Sequence, residues 1–390
     1  MTLTRKDVIR LLLLWLGGID MRLTLLAVPP LIPLIHRDLH LDEKAIGALV
    51  SLPVLLLALA SVPGALLIAK LGLRGALITG LGLVAVFGAL RGAASSPAIL
   101  FSATFLMGLG VAVSQPAFPS LVREWFPRRI AIATAVYSNG ILIGETLAVT
   151  LTTPVGVLPI AHGDWHLALA LWSIVVAVSA IAIALAAPAR QRRVVPARWW
   201  PSWLEGETLR LGLVIGVASA VYFGANAFIP DYLDQTGRHD LITPTLALLN
   251  AGQLLTAPAV AVWSQLTGRI GFIGSAALMG VAQVGIVVTP GPWVVGWALL
   301  LGVATALALI ITLTLPPRLA AAGDVHRMSA AVFTIQYGIA FVVPLIAGAL
   351  WDASGRALFA FIPGVIATVA MGWLARSLRI PVEVRAISRT

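Results

Sequence analysis

The sequence predicts an all-α polytopic membrane protein, with twelve transmembrane helices in two related halves of six and both termini cytoplasmic. Three observations carry this. Of 390 residues, 59% are hydrophobic and 11% charged, with a mean hydropathy of +0.98, whereas soluble domains carry about 25% charged residues. The apolar residues fall into twelve runs, most of them near the roughly 20 residues that cross a bilayer as a helix. Lys and Arg are sorted between alternate loops, as membrane insertion requires.

Taken in order, the spans are expected at about 9–35, 45–69, 75–93, 98–121, 130–156, 165–187, 208–231, 242–267, 271–289, 292–315, 329–351 and 357–378. Gly and Pro inside them are tolerated, because neighbouring helices satisfy the freed backbone groups. With the N-terminus inside, 19 of the 26 Lys and Arg fall on the cytoplasmic side. Five, Arg37, Lys44, Arg91, Arg238 and Arg356, fall outside, and Arg22 and Arg210 complete the count. That asymmetry sets the orientation and requires an even number of spans. It also accounts for the net charge of +10 without a nucleic-acid partner, since the basic residues lie in short loops between apolar runs.

The chain has no cysteine, which excludes a disulfide framework, a thiol nucleophile and a thiolate metal site. The six histidines, at 36, 40, 162, 166, 239 and 326, fall at predicted loops or helix ends. His162 and His166 have helical spacing, but the intervening Gly163-Asp164-Trp165 reads as a loop entering a helix, so no metal site is expected. No cofactor is expected either. The first apolar run is longer than a signal-peptide core and lacks a small-residue cleavage site, so it is expected to stay as span 1.

One inner linker, Pro188 to Glu207, divides the chain into an N-terminal bundle (1–187) and a C-terminal bundle (208–390). Its Trp199, Trp200 and Trp203 beside four Arg suit an amphipathic segment at the lipid headgroups. The halves echo one another. Lys70-Leu71-Gly72, with Gly75 three further on, follows span 2; Arg269-Ile270-Gly271, with Gly274, follows span 8 at an offset of 199. Pro33 matches Pro230 at an offset of 197. Parallel six-span repeats are one way that transporters are built.

Twelve spans in a 6+6 order, with a basic-Gly turn after span 2 and its echo after span 8, resemble the major facilitator superfamily. Of the family's loop pattern, Ala65 stands for the first Gly, Ala69 for the Asp, Lys70 for the Arg, Gly72 for the later Gly and Arg74 for the last basic residue. Within the superfamily the chain is most similar to the cyanate/nitroimidazole transporter branch. The likeness lies in Met21-Arg22 followed by Pro-Leu-Ile-Pro at 30–33, Ser51-Leu52-Pro53-Val54, Gln115-Pro116-Ala117-Phe118-Pro119-Ser120-Leu121-Val122 and Tyr137-Ser138-Asn139-Gly140. Asp20 stands where that branch would carry Asn. The resemblance implies that spans 3, 6, 9 and 12 support the bundle while 1, 4, 7 and 10 line a central cavity.

The chemistry is expected where charge enters the membrane. Leu11 to Ile35 carries Asp20 and Arg22 near its middle, where a charge costs at least roughly 2.5–3.5 kcal/mol and so usually faces protein or a water-filled cavity. Residues two apart lie about 200° around a helix and do not pair directly, so each needs a partner elsewhere. Arg22 is the expected anchor for the substrate, because a guanidinium stays charged and its planar fork suits a small oxyanion. Glu145 in span 5 is the expected proton carrier, with Asp20 second; a structural pairing of Glu145 with Arg22 is the alternative. Gly140 and Gly144 have the small-xxx-small spacing of close helix packing. Gln115, Tyr137, Asn139, Tyr222, Asn226, Gln253, Gln336 and Tyr337 are expected to complete the substrate site. Arg91 is expected to be an anchor at the membrane interface. In the inner loop Arg123 to Arg129, salt bridging or lipid contact stands beside the sharper possibility of a gate latch.

These features add up to a secondary transporter of the bacterial inner (plasma) membrane. It is expected to work as a monomer, moving a small anion by alternating access with possible proton symport. The alternative is an exporter of drugs or toxic small molecules on the same fold. An embedded enzyme finds no HExxH, GxSxG, phosphate loop or paired-His motif. A receptor without transport would be excluded by counterflow in liposomes. Partners are thus a small-molecule substrate, a proton and membrane lipids.

Overall fold

The computed structural model describes residues 4–41, 43–59, 61–152, 157–186, 200–262, 268–321 and 324–378. Among the described residues twelve helical spans are present, near the expected limits. The first half comprises Arg5–Leu26 (span 1), Glu43–Leu59 continued from Ser61 (span 2), a stretch ending at Arg91 (span 3), Pro97–Ser114 with Ala117–Trp125 (span 4), Ile130–Leu151 (span 5) and Trp165–Ala186 (span 6). The second half comprises Gly206–Gln235, Ile242–Leu254 with Thr256–Val262, Arg269–Val288, Trp293–Thr314 with Pro316–Leu319, Val325–Ser354 and Ile362–Arg376 (spans 7 to 12). Ten helices are singly long and apolar enough to cross a membrane. Part of the linker, residues 188–199, lies outside the described residues, including Trp199 and its four Arg. Trp200 and Trp203 meet edge to face, and Arg327 of span 11 donates to the Trp200 carbonyl.

The breaks follow from local chemistry. Span 1 stops at Leu26 ahead of Pro29-Pro30, then resumes as Ile32–Leu39, because proline lacks the N–H that continues a helix. Pro116 interrupts span 4 and Pro316-Pro317 interrupt span 10. The two prolines lie 200 residues apart, so each half bends its fourth helix at the same place. Spans 2 and 3 are joined at Gly72, whose φ of 75° is one that glycine adopts without steric cost. The basic-Gly turn read from the sequence is therefore a real turn.

Each half buries its own core, one built from spans 1–6 and one from spans 7–12. Several places join them, and Leu313 of span 10 is one of the residues that enters the first core. Phe333 and Tyr337 of span 11 enter the first core, and Ala135, Val260 and Ile310 form a small cluster between spans 5, 8 and 10. On the side that carries the chain ends, Arg123 donates to the carbonyl of Ala320, tying the end of span 4 to the end of span 10. Arg10 lies 5.7 Å over the Trp125 ring nearby.

Inside the first half, spans 1 and 5 touch backbone to backbone. A side chain at Gly140 would meet the Trp15 carbonyl, and one at Gly144 the Ile19 carbonyl. In lipid, helices gain little from burying apolar surface against each other, so this close packing supplies the attraction. It also sets the spacing of Arg22 and Glu145, which these two spans carry.

Arg91 corrects an expectation. It is not an interface anchor: it is 2% exposed and donates to the Thr24 carbonyl at 2.8 Å and to Met107 Sδ at 2.9 Å. Thr24 is within the last turn of the first helix of span 1, whose carbonyls have no partner in the helix. Arg91 thus caps span 1 just below its proline break. The two histidines sit in loop packing. His166 meets the Gly92 carbonyl at 3.1 Å and Asp38 at 3.2 Å, while His162 is exposed with φ 53°.

Candidate substrate cavity between the halves

A small cavity opens between the two halves. Arg22 reaches it from span 1 and Ile141, Leu142 and Glu145 from span 5. The second half contributes Ile215, Ala218, Ser219, Tyr222 and Phe223 of span 7, Gln253 of span 8, Thr305 and Leu309 of span 10 and Gln336 of span 11. One face is enough on each helix: 215, 219 and 222 recur at the helical repeat, as do 141 and 145. Spans 5, 8 and 11 therefore line the cavity alongside 1, 7 and 10, and no described residue of span 4 lines it.

Arg22 is held from behind. Its Nη2 donates to the Tyr337 hydroxyl at 2.9 Å, and its guanidinium lies 5.9 Å from that ring. Gln115 Nε2 donates to the same hydroxyl at 2.9 Å. Tyr337 belongs to span 11, whereas Arg22 and Gln115 belong to spans 1 and 4, so one oxygen joins the halves beside the cavity. Glu145 faces Arg22 and the Tyr222 hydroxyl. Among the described residues it forms no ion pair within the 4.0 Å of a salt bridge. A guanidinium and a carboxyl group thus share one small wall without closing on each other.

The other expected site residues divide. Tyr222, Gln253 and Gln336 line the cavity, and Gln115 and Tyr337 stand immediately behind it. Tyr137 is buried and stacks on Phe118 at 4.9 Å. Asn139 accepts from Trp15 Nε1 at 3.0 Å, and Asn226 accepts from Asn250 at 3.1 Å. Neither asparagine lines the cavity; each joins neighbouring helices instead, as isolated amides in membranes often do. Asp20 is fully buried, and neither of its carboxylate oxygens has a hydrogen-bond partner among the described residues. It does not line the cavity, as its 200° offset from Arg22 requires. Ser219 and Thr305 were not foreseen. Ser219 was legible as the position three before Tyr222 on the same face; Thr305 sits in a span without a charge or amide and carried no signal.

The sequence as a whole matches the family model described as Major Facilitator Superfamily over residues 14–344. The cyanate transport protein of Escherichia coli K12 is 26% identical over 360 residues, covering 89% of this chain and 91% of the relative. The 2-nitroimidazole transporter of the same organism is 26% identical over 362 residues, 86% of each. An uncharacterised transporter of Bacillus subtilis 168 is 24% identical over 90% of this chain and 89% of its own. Among solved structures, the human organic anion transporter MFSD10 superposes with a TM-score of 0.75 at 17% identity, covering 96% of this chain and 100% of the other. The Escherichia coli fucose:proton symporter superposes at 0.74 and 15% identity, covering 95% and 99%. With twelve spans, two joined halves and a charged cavity between them, the chain belongs to the major facilitator superfamily and is a membrane transporter, not an enzyme.

Proposed function

We propose that this transporter moves a small anionic solute by alternating access, with Arg22 as the anchor for the anionic group. The observation that carries the reading is Arg22 itself. It is the cation on the wall of the cavity between the halves, and Tyr337 fixes it there while its remaining donors are available to a ligand. A planar fork of this kind is suited to a carboxylate or other small oxyanion. The similarity to a cyanate transport protein supports the same substrate class.

Glu145 is the coupling group in this reading. An ionisable residue inside a membrane commonly marks a proton relay, and Glu145 shares the cavity with the anion site. Residues 1–187 and 208–390 act as the two rocking bundles, linked through 188–207. The distribution of Lys and Arg supports cytoplasmic termini, and in this reading the protein acts as a monomer in the inner membrane. An exporter of small toxic molecules is the second reading, favoured by the likeness to a 2-nitroimidazole transporter.

The test is uptake of cyanate and other small monoanions into proteoliposomes by wild type, Arg22→Ala and Arg22→Lys. Both variants should lose uptake while eluting as folded monomers. Wild-type transport by both would overturn the assignment. Efflux of lipophilic cations with no anion uptake would favour the exporter.

A further inference from the structure

Tyr222 lines the cavity, yet its hydroxyl proton goes to Asn250, a residue that does not. Backbone groups fix the direction of that bond. Asn226 Nδ2 donates to the Tyr222 carbonyl at 2.9 Å, one turn back on span 7, which turns Asn226 Oδ1 toward span 8. Asn250 Nδ2 donates to that oxygen at 3.1 Å and to the Leu246 carbonyl at 2.8 Å, so both of its amide hydrogens are committed. Asn250 thus presents Oδ1 to Tyr222, whose hydroxyl donates to it at 2.7 Å. A hydroxyl has one hydrogen, so what Tyr222 keeps for a solute is its oxygen lone pairs. Gln253 Nε2 also turns toward Asn250 Oδ1, at 3.5 Å. Gln336 on the same wall donates from Nε2 to Ser219 at 2.8 Å, and its Oε1 is buried without a partner. Leaving a buried acceptor unpaired is costly, and a donor on the solute would satisfy it. The second half therefore meets the solute with acceptors, while Arg22 of the first half supplies donors.

We propose that Asn250 is a positioning residue for specificity: by holding Tyr222 as an acceptor, it makes the cavity favour a small oxyanion that retains one O–H over an isosteric oxyanion that has none. Hydrogencarbonate and nitrate are such a pair, both planar monoanions with three oxygens around one central atom. The O–H of the first donates to Tyr222 while its charged oxygens accept from Arg22. Nitrate would set an oxygen lone pair against the Tyr222 oxygen. This rests on the reading that Arg22 anchors an anion, and adds what the second half recognises.

The probes are sodium hydrogencarbonate and sodium nitrate at mildly alkaline pH, titrated onto the purified full-length protein. Wild type, Asn250→Leu, Tyr222→Phe and Arg22→Ala are each first shown to elute as folded monomers. Wild type should bind hydrogencarbonate about five- to ten-fold more tightly, the scale of one hydrogen bond. Leucine at 250 keeps the branched shape but offers no acceptor, which frees the Tyr222 proton for the cavity. The preference should then fall to about two-fold or less, or reverse in favour of nitrate. Tyr222→Phe, which removes the acceptor itself, should lower the preference as well. A merely structural role for Asn250 would weaken both anions together and leave their ratio as in wild type. Equal binding of the two by wild type, tighter binding of nitrate, binding of neither, or an undiminished ratio in Asn250→Leu or Tyr222→Phe would each overturn the proposal. Arg22→Ala separates the two readings. If it loses the anions that wild type binds without preference, the anchor stands and the acceptor role falls; if it binds them as wild type does, the anchor itself falls.

Discussion

Replacing Gly144 by alanine tests how spans 1 and 5 set the geometry of the site. The new methyl would be 2.8 Å from Ile19 Cα and 3.0 Å from its carbonyl carbon, with the carbonyl oxygen nearer still. These are backbone atoms and cannot rotate away, so the helices must separate by roughly 1 Å to restore a carbon–carbon distance near 3.5–4.0 Å. Overpacking of this kind costs about 1–3 kcal/mol. Gly144 precedes Glu145, and Ile19 lies one turn before Arg22, so the same separation widens the gap between the two groups. Thermal unfolding in detergent should begin several degrees lower, and uptake by the surviving folded protein should drop by an order of magnitude. Gly82→Ala is the control, since a methyl there meets nothing within 4 Å and alanine is the better helix former. If Gly144→Ala unfolds and transports as Gly82→Ala does, backbone contact between spans 1 and 5 does not position the site.

Three further outcomes follow from the same geometry. Tyr337→Phe removes the acceptor shared by Arg22 and Gln115. It should cost about 1–3 kcal/mol for buried donors left unpaired; a bound anion should recover part of it, so ligand stabilisation should exceed that of wild type, and equal shifts would contradict the shared-acceptor role. Arg123→Ala removes the contact to the Ala320 carbonyl that ties the halves at the side of the chain ends. Because the chain has no native cysteine, a cysteine introduced at the buried Ala135 should react with an impermeant maleimide on the order of ten times faster in that variant, the scale of one charged hydrogen bond; an unchanged rate would refute the tie. Asp20→Asn should transport normally with undiminished stability, since it keeps the shape and removes a buried carboxylate that completes no hydrogen bond. Lost accumulation with intact exchange would return Asp20 to proton coupling.

Much of the architecture was readable before any coordinates. Span number depends on summed hydropathy over about twenty residues, and that sum is insensitive to detail. The turn at Gly72, the close approach at Gly140 and Gly144 and the choice of Arg22 and Glu145 as membrane-embedded charges also came from local patterns. Arg91 was misread because its position near a span end says nothing about the Thr24 carbonyl that it meets across the bundle.

The sequence by itself determined twelve spans, their division into halves, the family, and the few charges that had to be sheltered from lipid. Tertiary structure alone decided which polar residues converge. These helices are apolar on nearly every face, so no hydrophobic stripe marks the side that turns inward, and an amide earns the same internal position whether it meets a ligand or a neighbour. Packing turned Asn139 to Trp15, Asn226 to Asn250 and Asp20 away from the cavity. It turned Arg22, Glu145, Gln253 and Gln336 to a common cavity. The azimuth of each helix is set by its contacts with residues hundreds of positions away, such as Tyr337 on Arg22, and that information is absent from any local stretch of chain.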